Sequence, residues 1–208
     1  MKNLLVEAIG TFFLVLVIGL TVVAPGAGAM APLAIGAILM VMVYAGGPIS
    51  GAHYNPAVTL AVWMRGKCQA KEALEYVGAQ AAGAVLAALL VGFLKGGSYI
   101  EAMRPAVVPA LVAEMIFTFA LAFVVLNVAT AKKAAGNSYI GLAIGFTVMA
   151  GAYAAGNISG GVFNPAVAVG LTVMGLSSLN NLWLYLAANL VGGALAALAF
   201  RATSGESH

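Results

Sequence analysis

The chain has 208 residues, of which 63% are hydrophobic and 7% charged, against roughly 45–50% apolar and about 25% charged in a soluble domain. That balance excludes a soluble monomer, and a formal charge of +3 scattered along the chain gives no basis for nucleic-acid binding. What remains is an all-α integral membrane protein, because several apolar runs reach the ~20 residues that a spanning helix needs.

The first predicted span runs from Leu4 to Ala24. Lys2, the apolar run and the small residues near Ala27 and Ala29 imitate a cleaved signal peptide. The run is long for that purpose, carries Glu7 and is echoed in the second half, so it is read as a retained span. Span two runs from Pro32 to about Ala45, after which Gly46, Gly47 and Pro48 read as helix breakers. Asn55 restarts a short apolar helix to about Met64, half the length needed to cross a bilayer. A polar stretch, Lys67 to Glu75, carries the lone Cys68, so there is no disulfide framework. Span three is Ala70 to Leu94. A loop follows with Gly96, Gly97, Glu101, Arg104 and Pro105. Span four is Ala106 to Ala129, closed by Lys132, Lys133, Gly136 and Asn137, and span five is Tyr139 to Ala155. Asn164 starts a second half-length helix to about Met174. Span six is Leu179 to Phe200, with a polar tail over 203–208.

The chain repeats itself. At an offset of 109, Leu33–Val58 and Leu142–Val167 are identical at fifteen of twenty-six positions. Gln80 of span three pairs with Asn189 of span six in similar settings, Tyr76 to Ala88 and Tyr185 to Ala197. At offset 107, Glu7-Ala8-Ile9-Gly10-Thr11-Phe12 echoes Glu114-Met115-Ile116-Phe117-Thr118-Phe119. One domain, 1–208, is thus expected to hold two repeats, about 1–95 and 105–202. Each has three spans and one half-helix. An odd number of spans turns the second copy over, which makes an inverted repeat with binding or passage at the midplane. Lys2, Arg65, Lys67, Lys71, Lys132, Lys133 and Arg201 gather on one side, Lys95 and Arg104 on the other. The richer side is expected to be cytoplasmic, with both termini inside a cell membrane crossed six times. Gly36, Gly83, Gly145 and Gly192 are expected at helix crossings.

The two half-helices carry the chemistry. Each starts with Asn-Pro-Ala: Asn55-Pro56-Ala57 and Asn164-Pro165-Ala166. Asn is a favoured N-cap, and Pro at the first helical position loses nothing, because its missing N–H would be unpaired there. Alone, either motif is an ordinary cap; two at matching places of an inverted repeat point to more. Non-helical backbone at membrane depth has to be buried in protein or line a wet cavity. It is predicted here over Gly46–Tyr54 and Gly156–Phe163. The carbonyls of Gly51, Ala52, His53 and Tyr54, and of Gly160, Gly161, Val162 and Phe163, are expected to form a ladder of acceptors along a pore. An Asn that caps with its side-chain oxygen keeps its amide NH2 to donate outward. Two helix N-termini, each with about half a positive charge, aimed at one point would repel cations and protons.

No nucleophile–base pair, metal cluster or acidic dyad occurs within the spans, so no enzyme, cofactor or metal is expected. A coupled secondary transporter shares the inverted-repeat signature. Coupling normally needs ionisable groups at the site, and Glu7 and Glu114 fall outside the re-entrant stretches. A passive channel is therefore preferred, with the transporter and a water-only channel as alternatives. His53 reads equally as packing under its loop or lining the pore. Tyr44 and Tyr153 read as packing, and Asn157-Ile158-Ser159 as a chance glycosylation sequon.

With six spans, two half-helices and the segments Ile49–Thr59 and Ile158–Ala166, the chain resembles the aquaporin (major intrinsic protein) family along nearly its whole length. The resemblance implies a homotetramer in the bilayer with one pore per subunit, passing water and small neutral solutes. It also implies that Glu7 and Glu114 brace the re-entrant loops by accepting from backbone N–H groups. Most members have Arg after the second Asn-Pro-Ala; here that position is Val167. The other three outer-filter positions carried over by resemblance are Ile35, Ala152 and Gly161, and Ala168 stands where glycerol-selective members have Asp. An Arg would present five donors, whereas these side chains offer none. A wide apolar filter is the expectation, open to glycerol, urea, ammonia or undissociated metalloid acids.

Overall fold

The computed structural model describes residues 1–96 and 102–205. Gly97 and Glu101 of the predicted loop, and His208 of the tail, lie outside the described residues. Helix α1 is Lys2–Val22, α2 Ala31–Ser50, α3 Pro56–Met64, α4 Ala70–Leu94, α5 Val107–Val125, α6 Ile140–Ser159, α7 Pro165–Val173 and α8 Leu182–Ser204. Among the described residues six helical stretches are long and apolar enough to cross a membrane, with α3 and α7 as the short pair between them. Leu5, Leu86, Phe93, Val108 and Trp183 are exposed on the outside of the bundle, as a lipid-facing surface requires.

The packing obeys the repeat. Helix α1 lies on α4 as α5 lies on α8; α1 meets α2 as α5 meets α6; α3 rests on α8 as α7 rests on α4. Helices α2 and α6 cross each other directly. In lipid no hydrophobic force drives helices together, so close contact depends on small residues at the crossings. A methyl on Gly36 would sit 2.7 Å from the Gly145 carbonyl oxygen, and one on Gly145 would sit 2.5 Å from the Gly36 carbonyl oxygen. Gly83 likewise faces the carbonyl of Ala8, and Gly192 that of Met115. The four crossing glycines thus stand where the repeat placed them.

One boundary differs from expectation. Helix α2 does not stop before Gly46-Gly47-Pro48; it runs through them to Ser50, and α6 runs to Ser159. Each ends in a left-handed glycine whose N–H returns to the helix: Gly51 at φ 85° to Gly47 O, and Gly160 at φ 95° to Gly156 O, both 3.0 Å. Pro48 costs only the bond its own N–H would have made to Tyr44 O, and backbone at membrane depth is best satisfied inside the helix. Gly46 is there for space, since a methyl at this position would run into the Tyr54 hydroxyl. The non-helical backbone thus shrinks to Gly51–Asn55 and Gly160–Asn164. Helix α5 also ends differently, in a π-helical turn over Leu126–Thr130.

Candidate functional site

Each short helix begins with its Asn in extended conformation, φ −158° at Asn55 and −157° at Asn164. Asn55 Oδ1 accepts from the Ala57 N–H at 2.8 Å, and Asn164 Oδ1 from Ala166 at 2.9 Å and Val167 at 3.4 Å. Each Nδ2 then donates across the repeat. Asn55 donates to the carbonyl of Phe163, and Asn164 to the carbonyl of Tyr54, both at 2.9 Å. The amides are therefore not wholly free to donate outward: an NH2 has two hydrogens, and one of them is spent joining the two turns. The Tyr54 and Phe163 carbonyls are engaged in the same way. Asn55 and Asn164 are buried, with 3% and 4% of their surface exposed. Pro56, Ala57, Pro165 and Ala166 are buried in the first turns behind them.

The turns are held from outside by two carboxylates. Glu7 Oε1 accepts from the Ser50 hydroxyl at 2.7 Å and the His53 N–H at 2.9 Å; Oε2 accepts from the Tyr54 N–H at 2.7 Å and Gln80 Nε2 at 2.8 Å. Glu114 Oε1 accepts from the Ser159 hydroxyl at 2.6 Å and the Val162 N–H at 2.9 Å, and Oε2 from the Phe163 N–H at 2.7 Å. Tyr54 and Phe163 both sit at φ 48°, a region that costs a side-chain-bearing residue about 1–2 kcal/mol. The paired N–H groups on each carboxylate offset that cost.

Further residues support these turns and were not singled out as functional in the sequence. Ser50 and Ser159 also accept from the N–H of Ala52 and Gly161, at 3.1 and 3.2 Å. The hydroxyls of Tyr76 and Tyr185 donate to the carbonyls of Ser50 and Ser159, both at 2.9 Å, satisfying the ends of α2 and α6. Their signal was the repeat itself, since both pairs recur at offset 109.

Two cavities of about 780 Å³ each adjoin the turns. The first is lined by Ala52, His53, Tyr54, Asn55, Gly160, Gly161, Val162, Phe163 and Asn164, together with Ile35, Ala152, Gly161 and Val167, the four positions expected to form an outer filter. The second reaches from Ser50, Gly51 and His53 to Lys67 and the π-turn residues Ala129 and Thr130. His53 lines both. It also packs edge-on against Tyr76 at 5.1 Å and places Nδ1 3.1 Å from the Thr59 hydroxyl, so the packing and lining readings both apply. Gly161 lies so close to α6 that a methyl would sit 3.3 Å from Ala152 Cα. Tyr44 bridges α2 to the start of α6, donating to Ser138 O at 3.2 Å and accepting from the Leu142 N–H at 3.1 Å. Among the described residues no group of His, Cys, Asp and Glu is placed to hold a metal.

Comparison with known proteins agrees with this architecture. The profile of the family described as Major intrinsic protein matches residues 1–200. The chain is 37% identical to Aquaporin NIP1-4 of Oryza sativa subsp. japonica, over 96% of this chain and 76% of that one. It is 34% identical to the Glycerol uptake facilitator protein-like 6 of Lactiplantibacillus plantarum, over 99% of this chain and 100% of that one. In fold it is similar to the X-ray structure of the aquaglyceroporin from Plasmodium falciparum, with a TM-score of 0.81, 20% identity, and 97% and 96% of the two chains covered. The chain belongs to the major intrinsic protein family, the aquaporins.

Proposed function

We propose that the protein is a passive channel for water and small uncharged solutes, with a wide apolar outer filter and no chemical step. The observation that carries this reading is the crossed pair of Asn amides at the start of two facing half-helices, lining a cavity that holds the aliphatic filter set. Each Asn keeps one amide hydrogen after bonding the opposite turn, so two donors remain at the waist for a single permeant oxygen. The carbonyls of Gly51, Ala52 and His53 on one side, and of Gly160, Gly161 and Val162 on the other, are the acceptors of the path. A water held by the Asn pair points its own hydrogens away from both amides. That orientation, with the positive ends of α3 and α7, opposes proton and cation passage.

The outer filter, Ile35, Ala152, Gly161 and Val167, provides bulk and no side-chain donor. It admits solutes by size, with glycerol, urea, ammonia and undissociated metalloid acids in range. The names of the glycerol facilitator and aquaglyceroporin relatives support solutes beyond water. The unit is a homotetramer with one pore per subunit, in the cell membrane with both termini cytoplasmic. The test is a stopped-flow comparison of vesicles holding the wild type or Val167→Arg. Val167→Arg is expected to lower glycerol and urea flux about tenfold or more relative to water. Unchanged glycerol and urea flux would remove the wide-filter reading, and flux that requires a proton or sodium gradient would favour a transporter.

A further inference from the structure

We infer that Lys67, just past the end of α3, is a charge-selecting residue: it holds protons and other small cations back from the mouth of the second cavity and lets water and neutral solutes by. The inference rests on the channel reading above. Among the described residues no Lys, Arg, Asp or Glu lines the first cavity, and Lys67 is the one such residue that lines the second. Lys67 is exposed as well as cavity-lining, which puts it at the rim. From there the second cavity runs to Ser50, Gly51 and His53 at the first re-entrant turn. A charge at an opening with low-dielectric walls acts across that opening, because the walls focus its field.

The end of the half-helix fixes this placement, and the repeat shows that the lysine is not there for the turn. Gly66, left-handed at φ 77°, donates to Trp63 O at 2.8 Å, and the Lys67 N–H donates to Val62 O at 3.1 Å. The end of α7 is closed in the same way at offset 109. Gly175, at φ 78°, donates to Thr172 O at 3.1 Å, and the Leu176 N–H donates to Leu171 O at 2.9 Å. Such a closure favours an apolar side chain on the residue after the glycine, packed against the last turn. Leu176 is that residue, buried, and it lines the first cavity. Equivalent places in the two repeats thus carry an apolar group at one cavity and a cation at the other. The carboxylates near Lys67 in sequence are turned to other groups: Glu72 accepts from Cys68 Sγ at 3.6 Å, and Glu75 lies 3.9 Å from Lys71 Nζ. Among the described residues none pairs with Lys67. Other polar groups around the second cavity donate within the protein. The Tyr44 hydroxyl donates to Ser138 O, the Thr130 hydroxyl to Leu126 O, and Asn137 Nδ2 to the carbonyls of Val128 and Ala134. The ammonium is therefore the main signal that this wall gives to an approaching ion.

The experiment uses the full chain in liposomes. Water and glycerol entry are followed by stopped flow, and proton entry after a pH step by a trapped dye under a potassium–valinomycin clamp. Lys67→Leu copies the residue that the second repeat holds in the same closure, so its fold is already precedented in this chain. At low ionic strength it is expected to raise the proton-to-water ratio about threefold, and Lys67→Glu about tenfold. Lys67→Arg is expected to keep the wild-type ratio. The gap between wild type and Lys67→Leu is expected to close as ionic strength rises from about 10 mM to about 1 M, where screening shortens from ~30 Å to ~3 Å. Ratios within about twofold of wild type in both Lys67→Leu and Lys67→Glu, including no proton entry in any, would overturn the inference. So would a gap that salt leaves unchanged, a parallel rise in proton, water and glycerol entry, or an arginine variant that leaks like the leucine one. A wild type that passes neither water nor glycerol would instead remove the channel reading itself, an outcome distinct from the others.

Discussion

The two re-entrant turns have the same backbone and the same carboxylate brace, yet their surroundings diverge. Around the first turn the polar groups are tied into one web: Gln80 Nε2 reaches both Glu7 and the Thr59 hydroxyl, and His53 Nδ1 meets that hydroxyl as well. At offset 109 the second turn has Val162 for His53, Ala168 for Thr59 and Asn189 for Gln80. Asn189 is one methylene shorter and accepts from Thr118 through its Oδ1. The aromatic neighbours differ too. The Tyr54 ring fills the space over Gly10 and reaches Gly46, whereas Phe163 packs against the ring of Phe117, 5.3 Å away, and against Gly151. The shared backbone therefore goes with the carboxylate and its N–H groups, the serine hydroxyl and the tyrosine hydroxyl, which recur in both turns. The web is particular to the first turn; the second carries Val162 and Ala168 where the first has His53 and Thr59.

The largest effect expected from that contrast is at the braces. Glu7→Gln and Glu114→Gln keep size but turn an NH2 toward a group that itself donates. A hydrogen bond to a charged group contributes about 1.5–3 kcal/mol, and a buried donor left unpaired costs about as much. Thermal unfolding in detergent is expected to show Glu7→Gln as the costlier, at about 3 kcal/mol against about 2 for Glu114→Gln. Equal losses would mean that the Gln80–Thr59 web adds nothing.

A smaller effect is expected from Gly46→Ala and Gly151→Ala. The first drives a methyl into the Tyr54 hydroxyl; the second places one 2.8 Å from an edge carbon of Phe163. Overpacking of this kind costs about 1–3 kcal/mol, with Gly46→Ala at the upper end and Gly151→Ala at the lower. Because the Tyr54 hydroxyl is the clashing group, Tyr54→Phe is expected to recover part of the Gly46→Ala loss. Additive losses would show that the hydroxyl is not what Gly46 accommodates.

The smallest effect concerns the segment after α3, where Cys68 stands at the place that Ser177 takes after α7. Burial, and then the charge of Glu72 beside it, push the thiol up to about 11. The thiolate is the reacting form and is scarce below that value. Maleimide labelling is therefore expected to be slow at neutral pH and to rise about tenfold per pH unit toward pH 10. An impermeant reagent is expected to label Cys68 only from the side that carries the termini. Fast labelling at pH 7, or labelling from the opposite side, would contradict this picture.

Much of the fold was legible because its signals are local or repeated. Helix α4 starts and ends at Ala70 and Leu94, where hydropathy placed it, and both half-helices start at their Asn-Pro pairs. Gly46-Gly47-Pro48 misled because glycine and proline mark breaks in water-exposed chains. In a buried helix end the same residues supply room for Tyr54 and forgo a single bond. The direction of the Asn amides was not legible: their partners, Phe163 for Asn55 and Tyr54 for Asn164, lie 108 and 110 residues away.

The crossed Asn bonds also bear on how the chain assembles. Contacts this distant in sequence form only after the intervening chain is in place. While α4 to α6 are being inserted, the cap of α3 holds its own helix and waits for its second acceptor. The waist is therefore a late joint, closed by α7 arriving from the opposite face. Neither half contains a complete pore: each supplies the acceptor that orders the other's donor.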